Sequence, residues 1–265
     1  MISLNLELHP FHIVEERPWP VLMSLVAFNT LINLVFFAWK VGRVYFFFLN
    51  LFLVSLVLII WGGDVTKEST LLGFHTQEIE YSLKWSMGWF IIREIFFFVS
   101  FFWAFFSLRL SSTVELGDRW PPLVIDPINP FAIPLLNTLI LLRSGVSLTW
   151  GHHSIIEGDY LKGVVGLGMT ILLGIYFTAL QVMEYFERRF SFNDSLYGNV
   201  FFLATGFHGA HVIIGTSLLT MCFFRIYFNQ HFRNHHMGLE ARRWYWHFVD
   251  VVWLFLFTFI YWWGR

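Results

Sequence analysis

The fold class this sequence predicts is an all-α integral membrane protein of seven transmembrane helices. Three observations point there. Of 265 residues, 57% fall among Ala, Val, Ile, Leu, Met, Phe, Trp, Tyr and Cys, and only 13% are charged. Soluble domains carry about 25% charge. A water-soluble chain built this way would expose apolar patches far beyond those that monomers tolerate, and the mean hydropathy of +0.61 agrees. Second, the apolar residues fall into seven runs long enough to cross a bilayer, which takes about 20 residues in a helix. Third, all eight prolines lie in the N-terminal tail or between Pro121 and Pro134, where no helix interior has to accommodate them.

The runs follow in order. Residues 21–39 carry no charge before Lys40, and residues 44–61 are uncharged throughout. Residues 82–108 form a third run, holding Lys84 near the start and Arg93 and Glu94 in the middle. Residues 134–151 open on Pro134, which suits a first helical turn, and carry Arg143. Residues 161–186 are free of charge from Gly163 to Met183, residues 195–225 are uncharged up to Arg225, and residues 244–263 are broken only by Asp250. Trp19, Trp39, Trp61, Trp244, Trp262 and Trp263 gather at run ends, as an interfacial belt requires. Together the runs make one membrane domain over residues 1–265. The longest connection, about 109–133, is too short to fold alone. Function is therefore exercised inside the membrane or at its surface.

Loop charge leaves the orientation open. Arg17, Lys67, Lys162, Arg225, Arg233, Arg242 and Arg243 fall on one side; Lys40, Arg43, Arg109, Arg119, Arg188, Arg189 and Arg265 fall on the other. The N-terminus, MISLNLELHPFHIVEERPWP, has neither the apolar core of a signal peptide nor the Arg/Ser-rich pattern of a transit peptide. Synthesis inside an organelle or in a bacterium is the expectation. A net charge of −1 gives nucleic acid no purchase. The single Cys222 excludes an intrachain disulfide and a thiolate metal cluster.

Ionisable groups inside the membrane are functional candidates because each is costly there. Glu94 leads. About 12 residues, or roughly 18 Å of helix, separate it from either end of its run. Arg93 adjoins it, but neighbours at i and i+1 point about 100° apart, so the two can pair with groups on different helices, and Arg143 in the fourth run is one available partner for Glu94. A buried acid satisfied by a neighbouring helix or a lipid head group is favoured over a proton-transfer group. Among the histidines, His208 and His211 are spaced i, i+3, as are His247 and Asp250, while His152 and His153 precede Glu157. The Glu-x-x-His pairs of a di-iron bundle are absent. Spacing alone leaves single-His haem ligation open, and interhelical hydrogen bonding, worth about 0.6–2 kcal/mol each, is the favoured reading. Gly206, Gly209 and Gly215 read as a close-packing face in the sixth run. Arg225, Arg233, His235, His236, Arg242 and Arg243 form a basic cluster that suits anionic lipid phosphates as well as it suits helix-end snorkelling.

Longer motifs are more specific. FVSFFWAFF after Glu94, ELGDRWPP (Glu115–Pro122), PLLNT (Pro134–Thr138) and SGVSLTWGHHSIIEGD (Ser144–Asp159) occur in this order. ATGFHGAHVIIG (Ala204–Gly215), NHHMGLEA (Asn234–Ala241) and WYWHFVDVVWLFLF, ending in YWWG, follow. From about Trp61 onward the chain resembles mitochondrial cytochrome c oxidase subunit III of the haem-copper oxidases. The related quinol oxidase subunit is the alternative within the same class.

The resemblance implies a non-catalytic core subunit of the terminal respiratory oxidase, complex IV. Helices one and two would be separated from helices three to seven by a lipid-filled cleft, with the N-terminus facing the matrix of the mitochondrial inner membrane. It implies no cofactor on this chain, with haem a and copper in partner subunits. Subunit I would be the main contact, with subunit II and accessory subunits beyond it. Phosphatidylethanolamine, phosphatidylglycerol or cardiolipin would bind near His75, Glu94 and Arg225, with Lys67, His235 and His236 completing the set. The subunit would support stability and proton uptake by the catalytic subunit as electrons pass from cytochrome c to oxygen. Three departures stand out: Arg93 where a small polar residue usually precedes the glutamate, Arg143 where helix four usually has Ala, and Gly63 and Lys67 in place of two arginines. Two readings from other classes remain at this stage, an autonomous proton-coupled carrier using Glu94 and a membrane metalloenzyme using the histidines.

Overall fold

The computed structural model describes residues 10–38, 44–111, 120–122, 125–188, 190–192, 194–228 and 237–265. It contains seven helices long and apolar enough to cross a membrane. These are α1 (Trp19–Ala38), α2 (Val44–Thr70), α3 (Gln77–Leu110), α4 (Ile133–Glu157), α5 (Tyr160–Glu187), α6 (Leu196–Tyr227) and α7 (Met237–Phe255), the last continuing as a π-helical segment over Leu256–Trp262. No β-strand occurs among the described residues. Several helices run past their apolar stretch: α2 extends to Thr70, α3 starts at Gln77 and α7 starts at Met237. Hydropathy marks the part of a helix that meets hydrocarbon, whereas polar turns continue into the interface. At about 1.5 Å per residue, the 34 residues of α3 span about 51 Å, well beyond a hydrocarbon core of about 30 Å.

Local signals set the helix ends. Pro20 and Pro134 fall in first turns, where a missing N–H costs nothing. Asp159 accepts from the Lys162 N–H at 3.3 Å to cap α5, and Ser195 accepts from the Gly198 N–H at 3.2 Å to cap α6. Beside that cap, Asp194 accepts from the Ser191 N–H at 2.6 Å and from its hydroxyl at 2.8 Å. Those two bonds hold its carboxyl below the ordinary value. The stability this adds is present above the ordinary carboxylate pKa and is lost as pH falls through the lowered one.

Two compact units divide the chain, residues 1–83 and 84–265. In the first, α1 packs antiparallel on α2, since the Trp19 indole at the start of α1 donates to Asp64 near the end of α2 at 2.8 Å. The segment ahead of α1 is pinned there as well. Arg17 pairs with the buried Glu68, His12 stacks on Phe74 at 4.7 Å, and Thr76 donates to the Pro10 carbonyl at 2.6 Å. Apolar side chains such as Phe28, Leu31 and Phe52 remain exposed along α1 and α2, as helices solvated by lipid require.

In the second unit α4, α5, α6 and α7 form a ring in chain order, with α7 closing back onto α4. The core is large and aromatic, with Trp246, Trp253, Phe177 and Phe201 fully buried among Leu148, Leu167 and Leu219. α3 lies against α6 and α7 through Phe97 on Phe207 (5.0 Å) and Phe98 on Phe248 (6.1 Å). α4 and α5 approach closely at Gly151 and Gly166. A Cβ on Gly166 would stand 2.7 Å from the Gly151 Cα and 3.0 Å from the Ser147 carbonyl. Both are backbone and neither can yield. Gly166→Ala is therefore expected to cost about 1–3 kcal/mol, read as a lower midpoint in denaturant unfolding of the detergent-solubilised protein. Of the α6 glycines, Gly215 is pressed against Trp246, with 2.9 Å between an added Cβ and the indole, whereas Gly209 faces open space.

Candidate functional site

The site is built where α3 meets α6. Glu94 is the eighteenth of the 34 residues of α3, so about 25 Å of helix extends from it in either direction. Its side chain is largely buried, and both oxygens are engaged. Oε1 accepts from Arg93 Nη2 at 2.8 Å and from Nε at 3.2 Å. Oε2 lies 3.2 Å from His211 Nε2 on α6. Arg143, one available partner for Glu94 on sequence, does not meet it in the structure. Arg143 is exposed on α4, while the partners of Glu94 are Arg93 and His211. Backbone directions at i and i+1 do diverge, but the long Arg93 stem curls back over Phe90, 4.8 Å from its ring, and brings the guanidinium to its neighbour.

His211 is oriented by its other nitrogen. Nδ1 lies 2.7 Å from the Phe207 carbonyl, which only accepts, so Nδ1 carries hydrogen. Nε2 is then either a bare lone pair or an N–H. A bare lone pair requires Glu94 to be a carboxylic acid donating to it; an N–H makes the pair imidazolium and carboxylate. Either way the contact holds one proton between the two side chains. Tyr245 stacks on the imidazole at 6.2 Å, Phe98 meets it edge-on at 5.1 Å and Phe248 closes the third side. These rings cover three sides of the imidazole, leaving the His211 and Glu94 side chains 13% and 14% exposed.

Three other histidines, His208, His152 and His247, bridge helices. His208, fully buried, donates from Nε2 to the Val249 carbonyl on α7 at 3.2 Å, between Phe177 and Trp253. His152 accepts at Nδ1 from Arg243 at 3.0 Å, and the exposed His153 meets its ring edge-on at 5.8 Å. His247 lies 3.3 Å from the Thr149 hydroxyl and 3.7 Å from Asp250, whereas Glu157 is exposed at the end of α4. Among the described residues no cluster of three or more His, Cys, Asp or Glu could hold a metal ion. The candidate lipid residues fall in both units. Lys67 lies in the last turn of α2, where it pairs with Asp64 at 3.6 Å, and His75 lies in the α2–α3 connection. Arg225 is half-buried in the last turn of α6, three residues beyond Cys222, whose sulfur accepts from Arg242 at 2.6 Å. Arg233, His235 and His236 lie outside the described residues.

Sequence reasoning missed a second polar centre. At the end of α5, Arg188 donates to Glu184 at 2.6 Å, and the two side chains are only 2% and 4% exposed. Arg188 also donates to the Tyr261 hydroxyl at 3.4 Å, Gln181 donates to the same oxygen at 3.3 Å, and Asn137 on α4 donates to Gln181 at 3.2 Å. The guanidinium lies 3.9 Å over the Phe201 ring. The i, i+4 spacing of Glu184 and Arg188 was the available signal. Tyr261 carried none, because it reaches the cluster through the π-helical segment.

The comparisons with known proteins agree with one another. The family model described as cytochrome c oxidase subunit III matches residues 9–265. A protein named cytochrome c oxidase subunit 3 from Aedes aegypti is 51% identical over 258 residues, covering 97% of this chain and 98% of its own. Those of the same name from Drosophila melanogaster (51% over 259 residues, 97% of each chain) and Struthio camelus (50% over 256 residues, 97% and 98%) are similar to the same extent. Seven membrane-crossing helices and a match along nearly the whole chain lead to one conclusion: the chain belongs to the cytochrome c oxidase subunit III family.

Proposed function

We propose that this chain is a non-catalytic core subunit of the terminal oxidase of the mitochondrial inner membrane, acting as one membrane domain with its N-terminus in the matrix. Electrons pass from cytochrome c to oxygen through haem a and copper held by subunits I and II. This subunit sustains proton uptake into subunit I, its main contact, and retains phospholipids that keep the assembly stable. Head groups are held by Arg225, Lys67, His75, His235 and His236. The observation that carries this reading is the Glu94–His211 pair, a proton-holding contact in the middle of a helix that crosses the membrane. The likeness of about 50% to proteins named for cytochrome c oxidase supports that enzyme over a quinol oxidase.

Glu94→Gln keeps the size and a hydrogen bond but removes the acid. The expected outcome is an assembled oxidase whose initial oxygen consumption stays within about twofold, since a lost proton-transfer group away from the metal centres spares the chemical step. Bound phospholipid and activity over prolonged turnover should decline instead. Immediate and complete loss of oxygen reduction in the assembled variant would contradict the proposal.

A further inference from the structure

Arg143 is the eleventh of the 25 residues of α4, about 15 Å of helix from its start and about 21 Å from its end. It is exposed there, and among the described residues no hydrogen bond or ion pair engages it. On the same face, at helical spacing, stand Leu139, Val146 and Trp150, all exposed. Beside this line runs a groove of about 590 Å³ between α4 and α7, walled by Leu142, Val146, Val251 and Leu254. Its floor is polar. The Asp250 side chain is 8% exposed, with Oδ2 3.7 Å from His247 Nδ1, and its Oδ1 is buried with no partner. Gly145 makes room for this carboxylate, since a Cβ there would stand 2.7 Å from Oδ2.

Two unmet demands thus lie at similar depth but on different faces of α4, a cation with no acceptor among the described residues and a buried carboxylate oxygen without a donor. Hydrocarbon answers neither, and intramembrane charges are stable only when paired or wet. Lipid phosphate lies about 15 Å from the midplane, farther than an arginine side chain reaches. A second copy of this chain has no free acid to offer at this depth among the described residues: Glu94 is held by Arg93 and His211, and Asp250 is buried in the groove. We propose that the α4–α7 groove docks a transmembrane helix of a different protein, one that carries an Asp or Glu near its midpoint for Arg143 and an O–H or N–H donor for Asp250. This rests on the reading that the chain works within an oxidase.

A photoreactive residue in place of Leu139, in the assembled oxidase, tests it. The expected crosslink is to one membrane-spanning helix with a mid-depth carboxylate. Arg143→Glu should lower its yield at least about tenfold, and a compensating Lys at the partner's carboxylate should restore it to within about threefold. Arg143→Leu, which removes the charge without repulsion and leaves the exposed face apolar, should lower the yield too while the chain stays in the oxidase. Crosslinks to lipid alone, crosslinks to a second copy, or a yield indifferent to Arg143→Glu would overturn the docking proposal. A chain that never copurifies with haem a and copper subunits would overturn the functional reading instead.

Discussion

Arg188→Ala is expected to destabilise the 84–265 bundle by about 3–5 kcal/mol, the usual consequence of removing one partner of a buried ion pair. The Arg188 and Glu184 side chains are almost wholly removed from solvent, and the guanidinium is enclosed by Tyr185, Phe201 and Phe202. Without it, the Glu184 carboxylate would keep its burial and lose its counter-charge, and the Tyr261 hydroxyl would lose a donor. The double substitution Glu184→Leu with Arg188→Met removes both charges while keeping apolar volume. It should be nearly neutral, or stabilising by about 1–4 kcal/mol. Unfolding of the solubilised full chain by denaturant, followed by tryptophan fluorescence, reads both. A double variant as damaged as the single one would mean that the pair's geometry, rather than its uncompensated charge, sets the cost.

Trp246→Ala should cost a similar amount, about 3–5 kcal/mol, by emptying the centre of the helix ring. Trp246 is fully buried, and its indole N–H donates to the Ser144 hydroxyl on α4 at 2.9 Å. Gly174 on α5 and Gly215 on α6 close on the ring from two sides, so that an added Cβ at either would stand 2.8 or 2.9 Å from indole carbons. One side chain therefore fills the space between three other helices. Trp246→Phe should cost less, retaining an aromatic ring but losing the hydrogen bond, worth about 1 kcal/mol. In the Trp246→Ala background, Gly215→Ala should become less harmful than in the native chain, because its methyl group enters vacated space. Unfolding midpoints of the four proteins check the cycle.

The helices were legible because a bilayer demands about 20 apolar residues from each crossing, and the sequence answers that demand seven times. Their ends were not, since the polar turns of α2, α3 and α7 lie where hydropathy no longer distinguishes helix from loop. Glu94 stood out as a candidate by its rarity in an apolar run. Its partner did not. Which residue on a neighbouring helix faces it depends on the rotation of that helix about its axis, and α6 has a very small amphipathic bias because lipid and protein interior are equally apolar. Hence Arg143 read as one available partner, and nothing singled out His211. The Arg188 cluster escaped because a cation one residue past a helix end reads as interfacial charge, and because a π-helical segment has no periodicity to announce it.

The account rests most heavily on one proton shared between Glu94 and His211. Magic-angle-spinning NMR of the assembled oxidase, with ¹⁵N-labelled histidine and ¹³C-labelled glutamate, measures it directly, using Glu94→Gln and His211→Phe to assign the signals. The expected spectrum has a protonated His211 Nδ1, together with either a carboxylic acid facing a neutral ring or a carboxylate facing an imidazolium. A carboxylate facing a neutral imidazole, or an unprotonated Nδ1, would contradict it.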